Sequence, residues 1–454
     1  MALQEIVDDV LAARRPARAI IGEALDRVAA LNDDLNAFVA IDAGDAERQA
    51  DEVDRRVAAG ERPALAGVVV GIKDNIWVAG RRVTQGSRLF AGFTAPADAI
   101  AVGRLRQAGA VILGSTNTPE FAAKGVTTNL LFGPTRHPRD GSLTPGGSSG
   151  GSVVAVASGM IPLALGTDAG GSSRRPPAHV GVVGFKPSFG AIPYGPGFVE
   201  PFCGISVIAP IAASVDDVTM AFDALAGPDP RDPDSLLATA LPDEPLSPAT
   251  ARLAYSPTFG LAAPVDGDVR LAVETAVARL RDAGWSIRHA DPVWPEGCNE
   301  DALMPLQHAG LAAIHGAAFR RDPGMFDPDI AAQIRRGFDL PGPAVAAARI
   351  LGAQVATALA AFFCETDILL GPTTPCTAWP LDRLGPERIG GVAVEARAHA
   401  AFTPLFNHAL VPALSLPCGH GRDGLPVGLQ IVARRGSDRR LLAFARQAER
   451  ILAT

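Results

Sequence analysis

Two glycine-rich stretches of this 454-residue chain carry serine side chains in a pattern suited to acyl transfer. The first, Thr144 to Gly159, reads TPGGSSGGSVVAVASG and turns abruptly from Thr, Pro, Gly and Ser to apolar residues. The second, GTDAGGSSRRPP, follows an apolar run and places Ser172 24 positions after Ser148. A serine needs a base before its oxygen can attack a carbonyl carbon, and neither stretch contains a histidine.

Lysine is the alternative base, and this chain uses lysine sparingly. Of its 41 basic residues only Lys73, Lys124 and Lys186 are lysines. Arginine does not deprotonate in a protein, whereas a buried lysine can. Each of the three lysines is therefore either a candidate base or a residue kept by chance. Lys73 ends the apolar run GVVVGIK, where burial would lower its pKa from about 10.4 toward 7. A neutral Lys73 would then draw a proton through one serine from the other, whereas Lys186 is expected to be structural and Lys124 a helix-end cation.

The residues before Ser172 suit the other half of an acyl transfer. The flexible backbone of Ala169, Gly170 and Gly171 can turn successive N–H groups toward one point. Such a point stabilises the negative oxygen of a tetrahedral intermediate. We therefore expect an oxyanion hole at this turn.

Three other interpretations of the glycine-rich stretches are weaker. The segment Gly146–Gly150 matches the G-x-S-x-G nucleophile elbow, but that motif needs a preceding strand, and RHPRDGSLTP does not resemble one. A phosphate-binding loop lacks the G-x-x-x-x-G-K-[ST] pattern. A flexible surface loop explains one such run but not two.

Six segments, in order, resemble the amidase signature family from about Leu65 to the C-terminus: GIKDN, TNTPEF, TPGGSSGGS, LGTDAGGSSRRP, GVVGFKPS and DGLPVGLQIV. The resemblance implies a Ser–cis-Ser–Lys triad on a large mixed α/β fold. Carried over by motif, Ser172 is the acyl-forming nucleophile, Lys73 the base and Ser148 the bridging serine after a cis peptide. The oxyanion hole would use the backbone N–H groups of Ala169, Gly170, Gly171 and Ser172.

The resemblance also implies supporting residues, and the chain departs from the family near the nucleophile. Asp168 and Arg174 are expected to hold the nucleophile turn, with an ordinary surface ion pair as the alternative, and Ser149 to orient Lys73 or Ser148. Three residues near the nucleophile differ from the types usual in the family: Ser173, Arg175 and His179. The sequence does not reveal their effect on the pocket. Candidate residues for the substrate pocket, each of which could equally be plain core, are Phe121, Ala122, Tyr194, Phe198 and Phe202.

The elements that must position these residues alternate between strands and helices. One apolar strand-like run ends at Lys73, the segment IPLALGTDAGG is predicted as a strand that breaks into a glycine turn, and a buried helix is predicted from GSVVAVASGM. This alternation predicts a large mixed central β-sheet flanked by helices on both faces. We expect one domain with four parts: an N-terminal helical region at 1–60, a catalytic core at 65–225, a Pro/Asp-rich linker at 227–248 and the rest of the sheet with a helical substrate-side region at 250–454.

Composition limits the location and partners of the protein. A net charge of −7 argues against a nucleic-acid surface. The five scattered cysteines predict neither a disulfide framework nor a metal site. The N-terminus lacks an apolar signal core, and the apolar stretch Pro343 to Cys364 predicts a buried helix rather than a membrane span. A cytoplasmic protein with no membrane contact is expected.

The function expected from the residues and the resemblance is a free-standing amidase. It would hydrolyse the non-peptide C–N bond of a small-molecule carboxamide through an acyl-serine, without cofactor or metal, and a homodimer is compatible with it. The alternatives are an amidotransferase A-type subunit, which passes ammonia to a partner within a complex, and a non-catalytic binding scaffold. No motif specifies the acyl group, the amine or the stereochemical preference.

Overall fold

The computed structural model describes residues 2–237 and 246–453. Within these ranges eleven strands form one sheet in the order β1-β3-β2-β4-β6-β5-β12-β13-β9-β7-β8, and β10 pairs with β11. The strands are β1 Phe38–Ile41, β2 Val69–Lys73, β3 Val111–Thr116, β4 Leu163–Asp168, β5 Val183–Lys186, β6 Val207–Ala212, β7 Leu253–Tyr255, β8 Ile287–His289, β9 Ile368–Pro372, β10 Arg388–Ile389, β11 Val392–Ala393, β12 Ala413–His420 and β13 Pro426–Ala433.

Helices flank this sheet on both faces, so the predicted mixed α/β class is confirmed. The sheet is mixed because β2 pairs in parallel with β3 and β4, whereas β12 and β13 are antiparallel. The helices are α1 Leu3–Leu11, α2 Ala17–Leu35, α3 Ala43–Ala58, α4 Ile100–Gln107, α5 Gly150–Ala157, α6 Arg175–Val180, α7 Val215–Leu225, α8 Pro233–Leu236, α9 Gly267–Asp282, α10 Glu300–Arg321, α11 Pro328–Asp339, α12 Gly342–Phe362, α13 Pro404–His408 and α14 Asp438–Ala453.

The centre of the sheet explains how distant residues meet. β2 and β4 are parallel neighbours, and every residue of both strands is buried. The carboxyl ends of parallel neighbours lie at the same edge of a sheet, so Lys73 and Asp168, the last residues of the two strands, end there together. The two glycine-rich loops each lead into a helix, α5 or α6, beside that edge.

Strands from both sides of the predicted linker share the one sheet. β7, β8, β9, β12 and β13 follow residue 248 in sequence, and β12 pairs with β5 from the earlier half. The linker contains the short helix α8, and its residues 238–245 lie outside the described residues. The division of the chain into the four predicted parts stays a prediction.

The prediction of a buried helix over Pro343–Cys364 is wrong about burial. Helix α12 buries only one stripe of residues, Ala348, Gly352, Val355 and Leu359. Alanine is the commonest of its remaining residues, so the helix is apolar in composition although most of its side chains are not buried. Among the described residues α12 is the one helix long and apolar enough to cross a membrane, and a single such helix is weak support for a span.

Candidate active site

Lys73 lies at the centre of a cluster of hydroxyl groups. Its Nζ donates hydrogen bonds to Ser148 Oγ at 2.7 Å, to Ser149 Oγ at 3.0 Å and to Thr167 Oγ1 at 3.0 Å. The side chain is fully buried. Burial lowers the pKa of Lys73 to about 7, against the opposing effect of the Asp168 charge. A substantial fraction of Lys73 is therefore a neutral amine at neutral pH.

Ser148 reaches Lys73 from the loop that precedes α5. The Gly147–Ser148 peptide bond is cis. A Cβ at Gly147 would lie 2.8 Å from Gly125 C and from Val126 N, so only glycine fits against this neighbouring backbone. The glycine content of the first stretch thus reflects close approach of two chain segments.

The turn between β4 and α6 holds Ser172. Gly171 adopts a φ of +114°, and a Cβ there would lie 2.1 Å from Thr403 Oγ1, so this position requires glycine. The N–H of Gly171 donates to Asp168 Oδ1 at 2.7 Å, and its contribution to the oxyanion hole stays a prediction. None of the described residues accepts a hydrogen bond from the N–H groups of Ala169, Gly170 or Ser172, which leaves these three donors available.

Asp168 and Arg174 form a buried ion pair rather than the alternative surface pair. Their bidentate contacts are 3.0 Å from Nε to Oδ2 and 3.0 Å from Nη2 to Oδ1, with both side chains fully buried. Burial alone would raise the pKa of Asp168, but the charge and hydrogen bonds of Arg174 hold it well below its usual range. Arg174 also donates to Thr403 O at 3.0 Å and to Gln430 Oε1 at 2.9 Å. The pair thereby joins the nucleophile turn to distant parts of the chain.

Replacing Asp168 by asparagine is expected to lower the free energy of unfolding by about 3–5 kcal/mol, because Arg174 would stay buried without a counter-charge. Urea unfolding measures the change. The matched control is Asp51→Asn, which breaks the exposed ion pair with Arg18 and should cost less than about 1 kcal/mol. Equal stabilities for the two variants would contradict the role assigned to the buried pair.

A cavity of about 360 Å³, measured with its open mouth, lies beside the two serines. Both Ser148 and Ser172 line it, and Ser172 is 7% exposed. The predicted pocket residues all reach this cavity: Phe121, Ala122, Tyr194, Phe198 and Phe202. Both serines therefore lie on one cavity wall, and Ser172 is the more exposed of the two.

The three departures near the nucleophile have different surroundings. Ser173 Oγ donates to Asp168 Oδ2 at 2.9 Å, so the hydroxyl joins the buried network. Arg175 is buried behind the turn, and burial lowers its pKa to about 10. His179 packs edge-on against Trp379 with ring centroids 5.3 Å apart. Burial lowers the pKa of His179 to about 3, so it is neutral.

The other two lysines lie apart from the serine cluster. Lys124 is not the expected helix-end cation, because it is buried and donates to Asp327 Oδ2 at 2.7 Å, 203 positions along the chain. Lys186 is buried and donates to Pro187 O at 3.0 Å. Burial lowers the pKa of Lys186 to about 7 as well. The contact with the bridging serine therefore distinguishes Lys73, and its pKa alone does not.

Sequence reasoning missed several polar residues around the site. Thr167 accepts hydrogen bonds from Lys73 and from Asn75 Nδ2 at 3.0 Å. Its position directly before Asp168 at a strand end is a signal that could have found it. Asn407 Nδ2 donates to Asp168 Oδ1 at 2.9 Å and, like Gln430, comes from a segment whose proximity no local pattern reveals. Among the described residues no group of three or more His, Cys, Asp or Glu side chains could hold a metal ion.

Comparison with known proteins places this geometry in a family. The Amidase family profile matches residues 19–442. A relative in Methanothermobacter thermautotrophicus, the A-type subunit of glutamyl-tRNA(Gln) amidotransferase, is 32% identical over 435 residues, which is 93% of each chain.

Solved structures resemble this chain over nearly its whole length. One, described as a vestigial complex revealing the origins of an s-triazine catabolic enzyme, superposes with a TM-score of 0.90 at 31% identity over 100% of this chain and 98% of the other. A bacterial aryl acylamidase gives a TM-score of 0.88 at 26% identity over 99% and 96%. With the profile spanning almost the whole sequence and the signature segments meeting at one site, the chain belongs to the amidase signature family of C–N-cleaving enzymes.

Proposed function

We propose that this protein cleaves the C–N bond of a small-molecule carboxamide through an acyl-Ser172 intermediate. One observation carries the proposal: the buried Lys73 Nζ lies 2.7 Å from Ser148 Oγ, and Ser148 and Ser172 line one cavity. A base of pKa about 7 is well matched to proton transfer at neutral pH.

In the acylation half-reaction, Ser172 Oγ attacks the amide carbon and forms a C–O bond. Its proton passes to Ser148 Oγ, while the Ser148 proton passes to the neutral Lys73. The negative oxygen of the tetrahedral intermediate accepts hydrogen bonds from the N–H groups of Ala169, Gly170 and Ser172. When the C–N bond breaks, the ammonium of Lys73 returns the proton through Ser148 to the leaving nitrogen.

Deacylation repeats the same proton path with water in place of Ser172. Water attacks the acyl ester, its proton moves through Ser148 to Lys73, and the C–O bond to Ser172 breaks. The ammonium of Lys73 returns this proton through Ser148 to Ser172 Oγ, and the products of the full cycle are a carboxylic acid and an amine or ammonia. Each step uses only water and groups present in this site.

An amidotransferase A-type subunit is the second candidate, and the similarity to the relative from Methanothermobacter thermautotrophicus favours it over a free-standing enzyme. That relative is such a subunit of a glutamyl-tRNA(Gln) amidotransferase, with 93% coverage of both chains. The two candidates share the acyl-serine chemistry and differ in the fate of ammonia. The free-standing enzyme releases it to solvent, whereas the amidotransferase component delivers it to a partner.

The test is a panel of amides incubated with the purified chain and followed by mass spectrometry. Released amine or ammonia together with an acyl adduct on Ser172 would support the proposal. Co-purifying proteins and ATP-dependent product formation would support the second candidate instead. A protein that cleaves no amide and whose Ser172 does not react with a fluorophosphonate would be a non-catalytic scaffold.

A further inference from the structure

The cavity beside Ser148 and Ser172 has one acidic side chain in its wall and no basic one among its described lining residues. The acid is Glu200, which is half-buried. Its Oε2 accepts hydrogen bonds from the N–H of Phe202 and from Ser206 Oγ, both at 2.8 Å. These donors are uncharged, so they orient the carboxylate without neutralising it.

Glu200 is close enough to act on a neighbouring residue of the cavity wall. Tyr194 also lines the cavity, and its pKa is raised well above the usual range, first by burial and then by the charge of Glu200. A carboxylate on a bound substrate would experience the same repulsion at similarly low local polarity. The cavity is therefore unfavourable for anionic groups.

Part of the remaining wall is aromatic, and polar side chains such as Asn75 and Gln85 share it. The Phe121 ring stacks on His315 with centroids 3.8 Å apart and an interplanar angle of 10°. The Phe198 ring packs 4.8 Å from Phe90 and 5.0 Å from Phe93. Rings held in this way offer a rigid apolar surface to a planar group. The space between the lining side chains is narrow, so that group is small.

The cations near this cavity, Lys73 among them, lie outside its lining. Arg397 lines a second cavity on the other side of Ala169 and is ion-paired with Glu300. Arg175 lies behind the nucleophile turn, where its Nε is 2.9 Å from the Cβ position of Gly171. Neither side chain lines the cavity that contains Ser172.

We propose that the substrate group held in this cavity is small, planar and either uncharged or cationic, such as an aromatic carboxamide, and that Glu200 excludes carboxylates. This inference rests on the proposed function and adds a substrate class to it. It disfavours free glutamine as the amide donor, because the α-carboxylate of glutamine would find no cation among the described residues of the cavity wall.

Three amides of one shape test the inference: benzamide, 4-carbamoylbenzoate and 4-(aminomethyl)benzamide, with L-glutamine as a fourth probe. Rates are measured at pH 8, above the pKa of Lys73. We expect kcat/KM for the anionic amide to be at least about tenfold below that for benzamide, since like charges a few ångströms apart repel strongly at low polarity. The cationic amide should equal or exceed benzamide, and glutamine should be the poorest.

Variants at two residues of the cavity wall separate the effect of charge on selectivity from the effect of loop structure. Glu200→Gln removes the charge and should reduce the ratio of neutral to anionic kcat/KM by about fivefold or more. Glu200→Asp keeps the charge and should keep the ratio, even if the shorter side chain loosens the loop. Val199, 72% exposed, lines the same cavity, so Val199→Lys should reduce the ratio in the same direction, whereas Val199→Gln should not.

Distinct results overturn the inference and the proposed function. If the amides are hydrolysed but the anion is cleaved as fast as benzamide, or glutamine is cleaved fastest, the inference fails while the function stands. Equal ratios in Glu200→Gln and Glu200→Asp would also overturn it, because charge would then not decide selectivity. If no amide acylates Ser172, the proposed function fails and the inference fails with it.

Discussion

Replacing Ser172 by alanine is expected to lower kcat/KM for amide hydrolysis by at least about 10⁴-fold. The variant removes the atom that bonds to the acyl group, so water would have to attack the amide directly with only the oxyanion donors and the cavity to assist it. Steady-state rates measure the loss. Intact-mass spectrometry should show an acyl adduct in the wild type during turnover and none in the variant.

The adjacent serine provides the matched control. Ser173→Ala also removes one hydroxyl from the turn, but that hydroxyl donates to Asp168 rather than lining the cavity. We expect a loss of less than about tenfold and a small decrease in stability, consistent with one buried hydrogen bond. Wild-type rates in Ser172→Ala, or an acyl adduct mapped to residue 148 or 173, would contradict the assignment of the nucleophile.

Replacing Lys73 by arginine is expected to lower kcat/KM by about 10²- to 10⁴-fold, the usual contribution of a general base. An arginine keeps the positive charge and can donate to the same hydroxyls, but it cannot exist as a neutral base at accessible pH. The matched control is Lys124→Arg, another buried lysine, whose ion pair with Asp327 an arginine can preserve. The control should retain most activity.

The pH dependence of the wild type follows from the lowered pKa of Lys73. Below pH 7 the folded enzyme holds Lys73 as the ammonium, which cannot accept a proton, so kcat/KM should fall about tenfold per pH unit. Above about pH 7 the amine is neutral and kcat/KM should reach a plateau. The sign is that of a required base: activity is lost as pH falls through the pKa.

Other buried groups titrate in the same range, so a control is needed to identify which group causes the fall of kcat/KM below pH 7. Burial lowers the pKa of Lys186 to about 7 and raises those of Asp74 and Glu120 to about 7. Lys186→Met should show the same fall of kcat/KM at low pH as the wild type, because the Lys186 amine contacts a backbone carbonyl and neither serine. If Lys186→Met removed this fall while Lys73→Arg retained wild-type activity, Lys73 would not be the base.

Local pattern predicted the parts of the site that lie on strand ends and glycine loops. The run GVVVGIK predicted a buried strand ending at Lys73, and β2 ends there. The run before GTDAGG predicted β4, which ends at Asp168. Alternation of strand and helix runs predicted the mixed sheet, because hydrophobic periodicity is a property of consecutive residues.

Long-range contacts account for what the sequence did not predict. Asn407 and Asp168 are 239 positions apart, and nothing near either residue indicates the other. The same holds for Lys124, whose partner follows 203 positions later. Helix α12 is a different case. Its apolar composition predicted a buried helix, but the surrounding structure buries only one stripe of its residues.

The sequence by itself determined that Lys73 ends an apolar run and that Ser148 and Ser172 lie in glycine-rich turns. Both features depend on the conformational preferences of neighbouring residues. Only the tertiary structure decided that the amine touches Ser148 and Thr167 together, that Gly171 turns its N–H to Asp168, and that Glu200 joins the cavity wall. The physical reason is that hydrogen bonding, burial and charge act through space, and the folded sheet brings together residues that are far apart in sequence.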